Sequence, residues 1–336
     1  MKELTIAVVG ATGAVGQEIL KVMAERKIPY KELRLLASAR SAGTEIAYQG
    51  KTYTVQETTE NSFDDVDLAL FAGGPASRAF GRLAQSKGCV VIDNSSTFRL
   101  EPDVPLVVPE VNPEALKDHK GLIANPNCST ILLVSALYPL HKKSKVKRVI
   151  VSTYQAVSGA GKEAIDELTL QVKQTLNGEA IEPHIFQHQI AFNLIPHIDV
   201  WVEDDYTKEE MKMVNETHKI LHDEDIAITP TAVRVPVIRS HAESIYVETA
   251  APLSTKQIKE AMKSFPGVVL VDDIKKQVYP MPLDTSNKID VAGGRIRKDL
   301  YNKRGINLWV CGDQIRKGAA LNTLQIAEYM IAHDMF

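Results

Sequence analysis

The sequence has 336 residues, 44% hydrophobic and 24% charged, with 39 basic and 42 acidic side chains and a formal charge of −3. This length suits two domains of roughly 150 residues, each with its own core, and the charge excludes a general attraction to nucleic acid or an anionic membrane. The densest basic cluster, KKSKVKR at 142–148, reads as a solvated connection before a strand. Cys89, Cys128 and Cys311 form no disulfide framework, and the opening MKELTIAVVG lacks the apolar core and cleavage site of a signal peptide. With no apolar stretch of about 20 residues to cross a bilayer, a cytoplasmic chain is expected, with no nucleic-acid or membrane partner.

In chain order, the first third alternates apolar runs with helical patterns: TIAVVG, a helix through GQEILKVMAER, ELRLLAS, VDLALFAG, a helix near ASRAFGRLAQS, and CVVIDNS. Such alternation implies right-handed crossovers and a parallel sheet covered on both faces. Past about residue 148 the runs become longer and β-branched: KRVIVSTYQAV, ITPTAVRVPVI, SIYVETAAP, VVLVDD, KIDVAGGRIR and GINLWVCG, with helical patterns near 162–176 and 208–222. A second α+β domain on a mixed or antiparallel sheet is expected. The closing KGAALNTLQIAEYMIAH has apolar residues at helical spacing and is expected back on the first domain. The expected division is 1–127 plus 313–336, a doubly wound Rossmann-type cofactor domain, and 128–312, a catalytic and dimerisation domain.

VVGATGAVGQE sets Gly10, Gly13 and Gly16 between a predicted strand and a predicted helix. Glycines there permit a tight turn and bring phosphate close to N–H groups at the positive end of the helix. The G-x-x-G-x-x-G spacing differs from the common dinucleotide fingerprint, so the βαβ context carries the reading. The second strand ends LASARSAG, with Ser38, Arg40 and Ser41 where an NAD enzyme places an acid. Two hydroxyls and a guanidinium suit a 2′-phosphate, which predicts NADP over NAD. AVSGAGKE at 156–163 fails as a P-loop, having Ala156 for the first glycine and Glu163 where a hydroxyl must reach magnesium.

ANPNCST at 124–130 precedes the apolar run ILLVSALYPL. If a helix begins just after Pro126 and Asn127, Cys128 sits in its first turn beside unpaired N–H groups. An effect of up to about 2 kcal/mol would bring a thiol from about 8.5 to near 7, and the same N–H groups could stabilise an oxyanion. A buried core cysteine fits the position equally, and spacing does not separate the two; Cys89 and Cys311, inside strands, read as core. VRVPVIRSHAES adds Arg234 and His241 beside a strand, types suited to gripping a carboxylate and to acid–base work. His184, His188 and His197 lack the Glu of an H-E-x-x-H site, so no metal is expected.

With GATGAVG, NPNCST, TYQAVSGAGK and RVPVIRSHAES in this order, the sequence resembles the aspartate-semialdehyde dehydrogenase family, nearest its Gram-positive bacterial branch. The resemblance covers nearly the whole chain. It implies that Cys128 is the thiolate that forms a thioester, that Gln155 orients substrate and intermediate, that His241 is the acid–base partner and that Arg234 anchors the substrate α-carboxylate. It assigns phosphate to Arg99 of DNSSTFR, the substrate amino group to Glu209 and assistance at phosphate to Lys212. Cofactor contacts map to Gly10, Thr12, Gly13, Ala14 and Val15, to Ser38, Arg40 and Ser41, and to Ser158, Gly159 and Gln314. The implied reaction is the NADPH-dependent conversion of 4-phospho-L-aspartate to L-aspartate 4-semialdehyde and phosphate, on the route to lysine, threonine, methionine and diaminopimelate, in a homodimer or homotetramer. The enzymatic rival is N-acetyl-gamma-glutamyl-phosphate reductase, whose cysteine motif is closer to NPGCYPT; the rival of another class is a dinucleotide-binding protein without catalysis.

Overall fold

The computed structural model describes residues 3–336, which form two compact units, one running up to Cys128 and including Gly318–Phe336, the other Ser129–Lys317. In the first, strand β1 (Leu4–Val9), fully buried, leads into helix α1 (Ala14–Arg26) and strand β2 (Tyr30–Ala37). The hairpin β3 (Glu45–Tyr48) and β4 (Lys51–Thr54) stands apart, followed by β5 (Gln56–Glu57), β6 (Leu68–Phe71), helix α2 (Gly74–Ser86), β7 (Val90–Asp93) and β8 (Leu122–Ala124). The six-stranded sheet runs β5-β2-β1-β6-β7-β8, every pair parallel. Strand order reverses outward from β1, and the carboxyl ends on either side of such a switch are where doubly wound sheets bind ligands. The glycine turn after β1 and the 93–99 loop after β7 both leave that edge.

The second unit is built around helix α3 (Cys128–Lys143). Every residue from Ser129 to Leu137 is buried, so this stretch is covered all round rather than on one amphipathic face. Strand β9 (Val146–Gln155) follows, then helices α4 (Lys162–Asn177) and α5 (Lys208–Leu221), strands β10 (Ala227–Arg234) and β11 (His241–Thr249), helix α6 (Thr255–Ser264), strand β12 (Val268–Leu270), the single turn α7 (Pro282–Thr285), and strands β13 (Val291–Lys298) and β14 (Gly305–Gly312). The sheet runs β10-β9-β11-β14-β13-β12 and is mixed: β10 and β12 pair in parallel with their neighbours, the other pairs antiparallel. Its inner face packs Val149, Val151, Ile245, Val247 and Leu308 against Leu132, Leu133 and Leu137 of α3. Gly312 is needed here because a Cβ would lie 2.5 Å from a Leu132 methyl.

The chain closes with helix α8 (Leu321–Ala332), whose Leu321, Leu324, Ala327 and Met330 pack into the core of the parallel sheet with Leu4, Ile19 and Met23. Among the described residues, no helix is long and apolar enough to cross a membrane.

Candidate active site

The turn after β1 fits a bound anion. Gly10 has φ +83°, a left-handed conformation that glycine adopts without strain. At Gly16 a Cβ would lie 2.2 Å from the Gly10 carbonyl oxygen, so only glycine lets α1 start this close to the strand. Gly13 is the N-cap and makes no side-chain capping bond, Gly13 and Ala14 are exposed, and the first turn carries no acidic side chain. The positive helix end is thus left for an external anion. Thr12 and Val15 sit half-buried in the same turn. Ser38, Arg40 and Ser41 form a short turn after β2 in which Ser38 and Arg40 are exposed; among the described residues the turn holds no acid. Residues of this kind fit a nicotinamide dinucleotide.

At the end of β7, Asp93 is fully buried and accepts the Ser95 backbone N–H on Oδ1 at 3.1 Å, the Ser95 hydroxyl on Oδ2 at 2.6 Å and the Ser77 hydroxyl. Burial pushes its pKa up against these hydrogen bonds. The loop it fixes carries Arg99, whose Nε donates to the Asn125 carbonyl at 2.9 Å and whose Nη2 donates to the Asn94 carbonyl at 2.8 Å. Arg99 thereby ties the NSS loop to the NPNC segment. Asn322 of α8 donates to the Asn125 side-chain oxygen at 2.8 Å, so three segments converge just before the cysteine.

Cys128 is the first residue of α3 and is half-buried, whereas Cys89 and Cys311 are buried with pKa pushed up to about 12 by desolvation. Their thiols stay protonated at neutral pH. Only Cys128, then, combines access with a helix N-terminus.

In the second unit three strand ends meet. Arg234, last in β10, pairs in register with Gln155, last in β9, and His241 opens β11 on the other side of β9. Arg234 and His241 are thus separated by β9 rather than sharing one strand edge. Nδ1 of His241 accepts the Ala156 backbone N–H at 3.0 Å, and Arg234 Nη1 donates to the Ala156 carbonyl at 2.8 Å. His241 is fully buried, and burial plus the Arg234 charge push its pKa down to about 3. The ring is therefore neutral, and with Nδ1 accepting, its proton belongs on Nε2. Gln155 receives the Thr153 hydroxyl on Oε1 at 3.1 Å and donates from Nε2 to Glu209 Oε1 at 3.1 Å. That Nε2 lies 3.4 Å from His241 Nε2, so two donors stand side by side.

Glu209 and Lys212 share one face of the first turns of α5. The turn is fixed by a capping box: Thr207 accepts the Glu210 N–H at 3.3 Å and Glu210 accepts the Thr207 N–H at 2.7 Å. Lys212 Nζ donates to Glu209 Oε2 at 2.9 Å and to Asp199 Oδ2 at 2.8 Å. Gly159 packs so close that a Cβ there would lie 3.2 Å from Arg234 Nη1 and 3.3 Å from His241 Cε1. Ser158 and Gln314 are bonded to each other at 2.6 Å, and Gln314 Oε1 also accepts the Ser240 N–H at 2.8 Å. His197 stacks on Trp201 at 4.4 Å.

The sequence reading missed three carboxylates. Asp93 ends a parallel strand, a position that could have flagged it. Asp199 lies in irregular chain with no signal. Glu243, two residues along β11 from His241, is fully buried, neither carboxyl oxygen has a hydrogen-bond partner among the described residues, and burial pushes its pKa well up.

The glycine turn at the switch point of a parallel sheet defines a dinucleotide-binding protein, and two family profiles make it an NAD(P)-linked semialdehyde dehydrogenase: "Semialdehyde dehydrogenase, NAD binding domain" over residues 5–119 and "Semialdehyde dehydrogenase, dimerisation domain" over 137–317. The chain is 52% identical to the aspartate-semialdehyde dehydrogenase of Aquifex aeolicus, covering 98% of each chain, and 51% identical to that of Bacillus subtilis, covering 97% and 96%. A crystal structure of aspartate semialdehyde dehydrogenase II from Vibrio cholerae complexed with ASA matches with TM-score 0.96 and 46% identity over 99% of both chains. The chain belongs to the aspartate-semialdehyde dehydrogenase family and is an oxidoreductase with a Rossmann-type nicotinamide-dinucleotide domain.

Proposed function

We propose that the chain converts 4-phospho-L-aspartate to L-aspartate 4-semialdehyde and phosphate with NADPH, in the cytoplasm, on the route to lysine, threonine, methionine and diaminopimelate. The observation that carries the reading is the hydrogen-bonded group Gln155–Glu209–Lys212 beside Arg234 and His241, together with a half-buried cysteine opening a buried helix. A family whose members are named for this aldehyde supplies the substrate.

In this mechanism the Cys128 thiolate adds to the acyl carbon, forming C–S, and the C–O bond to phosphate breaks with its electron pair leaving on phosphate. Arg99 and Lys212 receive that anion, Arg234 holds the α-carboxylate and Glu209 the α-ammonium. A dinucleotide held at the Gly10–Val15 turn would supply hydride to the thioester carbon. The resulting oxyanion accepts from His241 Nε2–H and from the second N–H of Gln155, two donors 3.4 Å apart. Collapse re-forms the carbonyl and expels the Cys128 thiolate.

Ser38, Arg40 and Ser41 support NADP over NAD, with Gly10, Thr12, Gly13, Ala14 and Val15 at the pyrophosphate. Ser158, Gly159 and Gln314 would complete the cofactor contacts; the hydrogen bonds that Gln314 already makes to Ser158 and Ser240 leave it positioned rather than mobile. We assign cofactor binding to 1–127 plus 313–336, and catalysis and self-association to 128–312. The dimerisation profile, the outer face of the second sheet, where Ile150 and Val269 are exposed, and the exposed Val278 and Met281 in the connection before α7 support a homodimer, able to pair into a homotetramer.

The test is the reverse reaction: reduction of NADP by aspartate semialdehyde, with and without phosphate, repeated with NAD. Phosphate-dependent reduction, faster with NADP, is expected, and activity unaffected by omitting phosphate overturns the acyl-phosphate route.

A further inference from the structure

Asp199 lies in the irregular segment before α5 with φ +71°. Its Oδ1 accepts the Val200 N–H at 2.9 Å, which fixes the carboxylate, while Oδ2 takes Lys212 Nζ at 2.8 Å. The same Nζ reaches Glu209 at 2.9 Å, and the Lys212 side chain is 17% exposed against 7% for Glu209 and 30% for Asp199. One ammonium is therefore divided between two carboxylates. Without the Asp199 charge, Lys212 and Glu209 alone would form a neutral pair.

We propose that Asp199 is a specificity-determining positioning residue: by sharing Lys212, it keeps negative charge on Glu209 for the substrate's α-ammonium and competes with phosphate for the lysine. This rests on the roles proposed above for Glu209 and Lys212. Removing one negative charge from this cluster makes its potential more positive, which opposes a bound ammonium and favours a bound phosphate. The two effects have opposite signs, and a loosened fold cannot produce that pattern. Lys212 has its pKa raised by both carboxylates in spite of the burial that lowers it, and Asp199 has its pKa lowered by Lys212 against its own burial, so both partners stay ionised at neutral pH.

The test measures steady-state KM for aspartate semialdehyde and for inorganic phosphate in wild type, Asp199→Asn, Asp199→Glu and Glu209→Gln. Asparagine keeps the Oδ1 acceptor for Val200 and so preserves the turn. Asp199→Asn is expected to raise the semialdehyde KM about tenfold and to lower the phosphate KM several-fold, with kcat within about twofold, and Asp199→Glu to restore part of the wild-type pattern. Both KM values unchanged, or both moving in one direction, overturn the proposal. If Glu209→Gln raises the semialdehyde KM while Asp199→Asn does nothing, only the role of Asp199 fails; if Glu209→Gln leaves that KM unchanged, the reading of Glu209 fails and the proposal with it.

Discussion

His241 accepts the backbone N–H of Ala156 through Nδ1 at 3.0 Å, and this one bond sets what the imidazole can offer at its other nitrogen. Held neutral, with its pKa pushed down to about 3 chiefly by burial and then by Arg234, the ring presents Nε2–H as a donor. Nitrogen-15 NMR of selectively labelled protein should find His241 as the Nε2–H tautomer, with no titration between about pH 5 and 8. The unfolded histidine binds a proton below about 6.5 and the folded one does not, so stability is present above that value and falls as pH drops toward about 3, by about 1.4 kcal/mol per unit. A His241→Asn variant should lose this dependence in urea melts at successive pH values, and an unchanged slope would refute the assignment.

Gly159 has an ordinary backbone angle, so alanine there costs little in strain but sets a methyl 3.2 Å from Arg234 Nη1 and 3.3 Å from His241 Cε1. With Arg234 and His241 in the roles proposed above, Gly159→Ala should lower kcat/KM at least about tenfold, since small misplacements of catalytic groups are expensive, while Tm stays within a few degrees. Melting and steady-state kinetics on the same preparation check it.

Glu243 is a fully buried carboxyl in β11 with no hydrogen-bond partner among the described residues. Its folded pKa lies well above the ordinary value because burial disfavours the anion, so the native state binds more protons than the unfolded one from about pH 4.3 upward. Its contribution is intact below that pH and is lost as pH rises through the folded pKa, at about 1.4 kcal/mol per unit. Glu243→Gln cannot ionise, and its stability relative to wild type should rise with pH across that window. Parallel curves for the two proteins would disprove it.

Arg40 is exposed in a turn that holds two hydroxyls and no acid. If Arg40 receives the 2′-phosphate as proposed, Arg40→Ala should raise KM for NADPH by about tenfold or more and leave KM for NADH, which lacks that group, within about twofold.

Much of this site was readable in the chain. The glycines of GATGAVG announce a turn because their reason is local: a positive φ at Gly10 and no room for a Cβ at Gly16. Cys128 at a helix start follows from the residues beside it. The Asp199 partner of Lys212 and the Gln155 partner of Glu209 were not readable. Asp199 is 13 residues away in irregular chain, and Gln155 reaches Glu209 across 54 positions; no periodicity links such residues, and only the fold brings them within 3 Å or so. Glu243 was hidden for a different reason. An acid within a strand pattern reads as a solvent-facing position, yet this one points where Thr153 and Val310 sit in register, and its cost appears only once that face is covered.

Cys128 opens a helix whose next nine residues, Ser129 to Leu137, are all buried. Amides along that stretch should be among the last to exchange with deuterated solvent, because opening them requires tearing out the centre of the second unit. The sulfur therefore sits at the mouth of one of the most deeply buried helices of the protein. Heat inactivation and loss of the helical signal should then fall on a single curve, with no warm, folded and idle form between them.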